Sequence, residues 1–493
     1  MVDPINTPLP HSPTSRPMTD FPFRPAPIPF NRLQISDGLL MTADLWEQAH
    51  DYHRQRQNFY YQALFQPGII WGLGVAVSTA PEAVEARYRD QRWVRVQPGV
   101  AIDALGNPIV VSEVVDFRLQ SAPPRGEVHT IFLVLRYSDP RDRVANGALS
   151  SSPETFSLVE TTAPEAADVE LCRLLLTGGS TALVSTADVL APNPQELDLR
   201  YRQWAQSRPQ GTVQLVEIQE VGKDLLEQET GGIAVWDQGQ VAPLAQAVPG
   251  LYPALAPLPP LRLDATALAT ADPTPWDWLY LPATLARSLP VSAQATLQRH
   301  LAQGGALVVP VAIDGTALTS LYPLAAEFQT AIAAAERDDT TVDLRADLHQ
   351  EFQAVQSNIA SQVDTILQTL ASFAAAVGCP LQGSGAIGPD HLLRQRPFVF
   401  AGWPSAAGYP LQVRAWGGLI VVVGALAESW RPNVALSTPR EQLRSSQEFG
   451  VNLLYYGWYR RYLSRLQGLP NAVRSGPSAT DSLRARRPGD PLA

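Results

Sequence analysis

Lysine is almost missing from this sequence: Lys223 is the single one, so nearly all the positive charge is arginine. Arginine suits forked interface pairs, but a compositional bias of the genome gives the same result and is the more economical reading. Cysteine is nearly as scarce, with only Cys172 and Cys379, far apart and flanked by apolar residues. That count excludes a disulfide framework and a cysteine-ligated zinc site, and it points to a reducing compartment. Net positive charge is absent as well. The formal charge is −10, which argues against nucleic acid as a partner because phosphate contacts need clustered Lys and Arg. The longest apolar run, residues 417–427, falls well short of the roughly 20 residues that a spanning helix needs. The opening Met1-Val2-Asp3-Pro4 has no basic region leading into an apolar run, so no signal peptide is expected. The expected location is cytoplasmic, with any membrane contact indirect and supplied by a partner.

What is present suits a folded body with proline-rich connections. The 493 residues are enough for several domains, 45% of them are hydrophobic and 17% charged, and the 44 prolines are about twice an ordinary share. Residues 1–29 hold nine prolines and little that could form a core, so an extended arm is expected there. Residues 470–493 return to Pro, Ser, Gly and Arg and read as a second loose tail.

Between these ends the periodicity changes several times. A helix is expected from Thr42, a good N-cap, with Asp44 in its first turn and Leu45, Ala49, Tyr52, Arg56, Phe59 and Ala63 on one face. Short β-like runs follow at 69–77, 93–96, 100–102, 109–111, 128–137, 155–159 and 169–176, separated by turn residues. Residues 30–190 therefore read as a mostly-β module with one docked helix. Asp103 is most simply a turn former there.

Residues 196–320 carry apolar runs at 213–218, 261–263, 278–281 and 306–311, with a helix over 292–303 closed by Gly304-Gly305. Strand, helix, glycines, strand is the pattern of a parallel α/β unit. Residues 321–377 turn helical, and Leu344, Leu348, Phe352, Val355, Ile359, Val363, Ile366, Leu370 and Phe373 trace a narrow seam, as in a coiled coil or helical hairpin. The α/β pattern resumes over 378–436, which makes the helical stretch an insertion into one domain. A last helix, residues 437–469, opens on Thr438-Pro439-Arg440-Glu441 and carries Tyr455, Tyr456, Trp458, Tyr459, Arg460, Arg461 and Tyr462.

The catalytic motifs are weak or missing. Residues 383–388 match G-x-G-x-x-G literally, but a helix precedes them and Pro389 follows, so an ordinary glycine loop is favoured over dinucleotide binding. Residues 230–234 lack the Gly-Lys-Ser/Thr ending of a phosphate loop. Glu47, His50 and His53 lie at helical spacing, but di-metal bundles need a second Glu-x-x-His, and this chain has none. No Gly-x-Ser-x-Gly elbow or His-Glu-x-x-His helix occurs. No catalytic residue, metal or cofactor is expected.

The opening stretch resembles an N-terminal module of proteins encoded with phage-tail-like contractile injection systems of the extracellular and thylakoid types. The residues that carry this are 68–75, 96–106 and 169–174, including Pro98-Gly99-Val100-Ala101-Ile102-Asp103. The second half is similar to an uncharacterised bacterial domain of Rossmann-like, amidotransferase-like architecture, through residues 277–281, 301–307, 391–398 and 417–420. Amidotransferase-like enzymes carry a nucleophilic cysteine at a strand-to-helix elbow, and neither Cys172 nor Cys379 has that context.

The resemblance implies a non-enzymatic structural subunit of a baseplate or baseplate extension. Its partners would be other baseplate, sheath and spike subunits and further copies of itself within a six-fold particle, free in the cytoplasm or docked at a cytoplasmic or thylakoid membrane. Aromatic residues and arginine dominate interface hot spots. The interface candidates are therefore Tyr455, Tyr456, Trp458, Tyr459, Arg460, Arg461 and Tyr462, joined by Phe352, Ile359 and Val363 from the helical seam; half of the aromatic helix is equally suited to packing on its own domain. The alternative is an enzyme or ligand-binding protein acting on cell-wall glycans or peptides. It would need a crevice with convergent polar groups at the carboxyl ends of strands 278–281 and 306–311.

Overall fold

The computed structural model describes residues 29–138, 155–179, 182–220, 239–337, 342–406, 408–431 and 438–467. The expected arm (apart from Pro29), the C-terminal tail and the 230–234 turn lie outside them. The chain is a mixed α/β protein that divides into two compact units, one ending at Arg208 and the other beginning at Pro209.

The first unit opens with α1 (Ala43–Leu64), followed by β1 (Gly68–Gly72), β2 (Val75–Ser78), β3 (Trp93–Val96), β4 (Gly99–Ile102), β5 (Pro108–Val111) and β6 (Val115–Arg118). It continues with β7 (Val128–Ser138), β8 (Thr155–Thr161), β9 (Val169–Thr177) and β10 (Leu197–Asp198). All pairing between these strands is antiparallel, in sheets ordered β1-β4-β5, β2-β3-β6 and β10-β9-β7-β8. Alternation along β7 sends Ile131, Leu133 and Leu135 into a core shared with Leu171 and Leu174 of β9, Val94 and Val96 of β3, and Ile69 of β1. The single run expected over 69–77 breaks into β1 and β2 because Gly72 (φ 71°) and Leu73 (φ 55°) are left-handed; a Cβ at residue 72 would strike the Pro98 carbonyl.

The second unit begins with β11 (Gly211–Val213), β12 (Leu215–Ile218), α2 (Ala242–Leu251), β13 (Leu255–Pro257), β14 (Leu261–Leu263), α3 (Ala265–Thr270) and β15 (Trp278–Tyr280). Next come α4 (Ala283–Ala286), α5 (Val291–Ala302), β16 (Ala306–Val311), α6 (Leu318–Arg337), α7 (Val342–Gln368) and α8 (Ala371–Ala376). The chain then forms α9 (Leu392–Gln395), β17 (Ser405–Ala406), β18 (Tyr409–Pro410), β19 (Gln412–Trp416), β20 (Leu419–Val423) and α10 (Arg440–Gln467).

A six-stranded sheet ordered β14-β12-β15-β16-β20-β19 organises this unit. All its pairings are parallel except that of β19 with β20. The strands are apolar on both faces, as a sheet covered on both sides requires. Leu307, Val309, Leu419 and Val421 face a core with α5, α7 and α8, whereas Ala306, Val308, Ile420 and Val422 face one with α2 and α10. Within the stretch expected to be helical, α6 and α7 pack together, and a turn at Thr369 and Leu370 divides α7 from α8, so the seam expected through Phe373 runs over two helices.

Candidate functional site

The strongest sequence candidates lie on α10, and most of that face is used inside the unit. Phe449, Leu453 and Leu454 are fully buried, Tyr455 and Tyr456 nearly so, and the Tyr456 hydroxyl donates to the Gly417 carbonyl at 2.7 Å. Trp458 lies against Gly211 of β11, where no Cβ could fit. Arg461, 2% exposed, donates to the Gln303 carbonyl at 2.6 Å, the Gln303 Oε1 at 2.9 Å and the Thr274 carbonyl at 2.7 Å. It therefore satisfies backbone at the end of α5 that would otherwise be orphaned. Tyr459, Arg460 and Tyr462 remain partly open, with Tyr462 stacked on Trp458 at 5.6 Å between ring centroids.

The seam candidates are also taken up largely within the unit. Ile359 and Val363 are buried in the sheet's own core and Phe352 packs at its edge, whereas Val342 and Leu344 at the far end of α7 stand in solvent. Periodicity marks an apolar face without saying which surface covers it.

An open apolar surface occurs instead on α1. Thr42 caps it, its Oγ1 accepting from the Leu45 amide at 3.3 Å. Asn58 donates to the Asn107 Oδ1 at 2.7 Å, and Gln62 donates to the Leu105 carbonyl. Asp103 holds the turn they meet, accepting from the Leu105 and Asn107 amides at 2.9 and 2.8 Å and from the Asn107 Nδ2 at 2.8 Å. Gly106 (φ 80°) lets that turn approach the Asn58 carbonyl. Phe30 stands edge-on to Tyr52 and Phe59. Despite these contacts none of the 22 helical residues is buried. Trp46, His50, His53, Gln57, Tyr60 and Leu64 are all exposed. Their four- and three-residue spacing puts them within about 80° of one another, on the opposite side from Asn58 and Gln62. The His50 ring packs on Trp46 and the His53 ring on Tyr52. Among the described residues, no group of three His, Cys, Asp or Glu side chains is arranged to hold a metal ion.

The α/β unit also contains a cleft of about 650 Å³ at the carboxyl ends of β15, β16 and β20. Its walls include Tyr280, Arg287, Asp314, Tyr409, Glu428 and Arg431, with Gln240 at one side. Burial, with Glu217 and Glu428 close by, pushes the Tyr280 hydroxyl well above its ordinary value, so it stays protonated. Glu217, at the end of β12, accepts from the backbone amides of Gln240 at 2.9 Å and Val241 at 3.4 Å. Those amides stand just ahead of α2, where the helix dipole would favour a phosphate, so a carboxylate of the chain itself fills that place. Sequence reasoning pointed to these strand ends as the place where a crevice would lie, and it named none of the lining residues. They are isolated residues at strand ends and in the segments between elements, and they carry no motif.

Other reactive-looking groups are quiet. Cys172 is fully buried, and burial pushes its thiol up to about 12, so no thiolate forms near neutrality. In the G-x-G-x-x-G loop, Gly385 lies against the Trp416 ring, whose Nε1 donates to the Gln382 carbonyl at 3.0 Å. The helix that follows has only four residues and is capped by His391. This is a loop packed on an aromatic side chain.

No protein-family model, curated protein or solved structure matches this chain.

Proposed function

We propose that this chain is a non-enzymatic structural subunit of a contractile injection system, at the baseplate or an extension of it. In this reading the first unit is the docking module and the second a Rossmann-like domain that it positions, with α6 and α7 as the helical insertion. The observation that carries it is α1: a helix of 22 residues that buries none of them and presents Trp46, Tyr60 and Leu64 to solvent along one stripe. Three large apolar side chains aligned on a free helix face are what a facing helix or groove takes up as anchors. The partner is a neighbouring subunit of the particle. The N-terminal resemblance supports the same assignment. On firing, such a subunit relays a shape change between neighbours through its interfaces.

Trp46→Ser combined with Leu64→Ser tests this. Both side chains are 57% exposed, so the thermal midpoint of the isolated chain should move by no more than about 2 °C. The amount recovered with purified particles should fall at least tenfold. Undiminished recovery contradicts the assignment.

The cleft favours a second reading, in which the α/β unit binds a ligand or acts as an enzyme on cell-wall glycans or peptides. The crevice that this alternative needs is lined by charged and hydroxyl groups as well as apolar ones.

A further inference from the structure

We propose that the cleft at the carboxyl ends of β15, β16 and β20 binds a zwitterionic small molecule of short-peptide size, carrying both a carboxylate and an ammonium group. This rests on the second reading above, that the cleft is a ligand site, and gives the chemistry of what it takes.

The cleft lies where the topology of the sheet favours a ligand. Numbered in chain order, the five parallel strands β12, β14, β15, β16 and β20 stand in the spatial order 2-1-3-4-5, so the direction of strand addition reverses at β12. In open α/β sheets ligands sit beyond the carboxyl ends of the strands, next to such a reversal. The cleft has Gln240, just ahead of α2, on one side and Tyr280, the last residue of β15, on the other, and it extends past the ends of β16 and β20. Its volume of about 650 Å³ has room for a ligand of roughly ten or more heavy atoms.

The cleft also carries charge of both signs. Arg287 and Arg431 line the cleft together with Asp314 and Glu428, yet among the described residues none of the four is ion-paired. Arg431 donates to the Gly239 carbonyl and has further guanidinium N–H groups available. Opposite charges that share a cavity without neutralising one another leave both signs for a ligand. A guanidinium grips a carboxylate with two parallel bonds, and a carboxylate accepts from an ammonium group.

Glu217 works against a phosphorylated ligand. The amides that would receive a phosphate at α2 are already occupied by its carboxylate, and a second anion there would meet like charge. Phosphorylated ligands and nucleotides are disfavoured. The protonated Tyr280 hydroxyl and the Tyr409 side chain add neutral hydrogen-bonding groups suited to an amide.

Isothermal titration of the full chain with five probes tests the proposal: dialanine with both ends free, N-acetyl-dialanine, dialanine amide, N-acetylglucosamine and inorganic phosphate. Dialanine should bind, and each of the other four should bind at least about tenfold more weakly. Arg287→Gln and Asp314→Asn should each weaken dialanine binding about tenfold without shifting the thermal midpoint, since both side chains are exposed. If a singly charged, neutral or phosphate probe binds as tightly as dialanine, the zwitterion assignment is overturned while the cleft stands as a ligand site. If no probe binds, the ligand-site reading falls with it.

Discussion

Gly211→Ala should cost the α/β unit roughly 3 kcal/mol, the upper end of the usual penalty for overpacking a core. The new methyl would fall inside the indole of Trp458, and Trp458 cannot withdraw freely because its ring meets Tyr455 and Tyr459 and stacks on Tyr462. β11 would have to shift, and with it the Gly211–Leu255 pairing that joins it to β13. Because one contact causes the loss, Trp458→Ala should relieve much of it. Urea unfolding of the two single variants and the double should give a total at least about 1 kcal/mol below the sum of the singles. Strict additivity, or a Gly211→Ala variant as stable as the parent, would place Trp458 elsewhere.

The second large effect is acid destabilisation through His300. Its ring is fully buried on α5, with Nε2 3.2 Å from the Ala306 carbonyl. A carbonyl only accepts, so Nε2 carries the proton, and Nδ1 is left without a hydrogen-bond partner among the described residues. Charging this ring means protonating Nδ1 inside the core beside Arg460 and Arg461, and burial lowers its pKa to about 4. The unfolded chain binds that proton near the ordinary histidine value of about 6.5. Below that pH the unfolded state therefore holds more protons, and stability is full above about 6.5 and is lost as pH falls toward 4. The loss amounts to roughly 3 kcal/mol at about 1.4 kcal/mol per pH unit. Burial raises the pKa of Asp277, which works in the opposite sense over a range beginning near 3.8. Comparison with a His300→Gln variant removes that contribution, because glutamine keeps an N–H for Ala306 and does not titrate. Unfolding free energies of parent and variant should converge with falling pH by that amount; parallel curves would show that His300 is not held neutral.

Local features of this fold were readable from the chain, and the reason is physical. Thr42 caps α1 because its hydroxyl reaches the Leu45 amide, and Gly304 (φ 88°) ends α5 because a left-handed residue favours glycine. These signals act over a few residues. The order β14-β12-β15-β16-β20-β19 joins strands separated by more than a hundred residues, as where Leu307 pairs with Leu419, and no local periodicity specifies it. The same gap explains the interface candidates. The apolar spacing of Ile359 and Val363 was plain, but that they pack on their own sheet depends on where the strands lie. On α1 the face chosen from the sequence, Leu45 through Ala63, is the one that Phe30 partly covers through Tyr52 and Phe59, whereas the open stripe interleaves Trp46 with His50, His53 and Gln57 and so looked polar. Arg287, Asp314, Glu428 and Arg431 lie outside any recognisable motif until the strand ends bring them to one cleft.

Quantitative mass spectrometry of purified, intact contractile particles tests most directly the proposal that the chain is a part of such a particle. This chain should be present at a fixed ratio to the sheath subunit and should be retained through washing at high salt, because its proposed anchors are apolar. Particles that contain none of it, or that lose it all on washing, would contradict the claim.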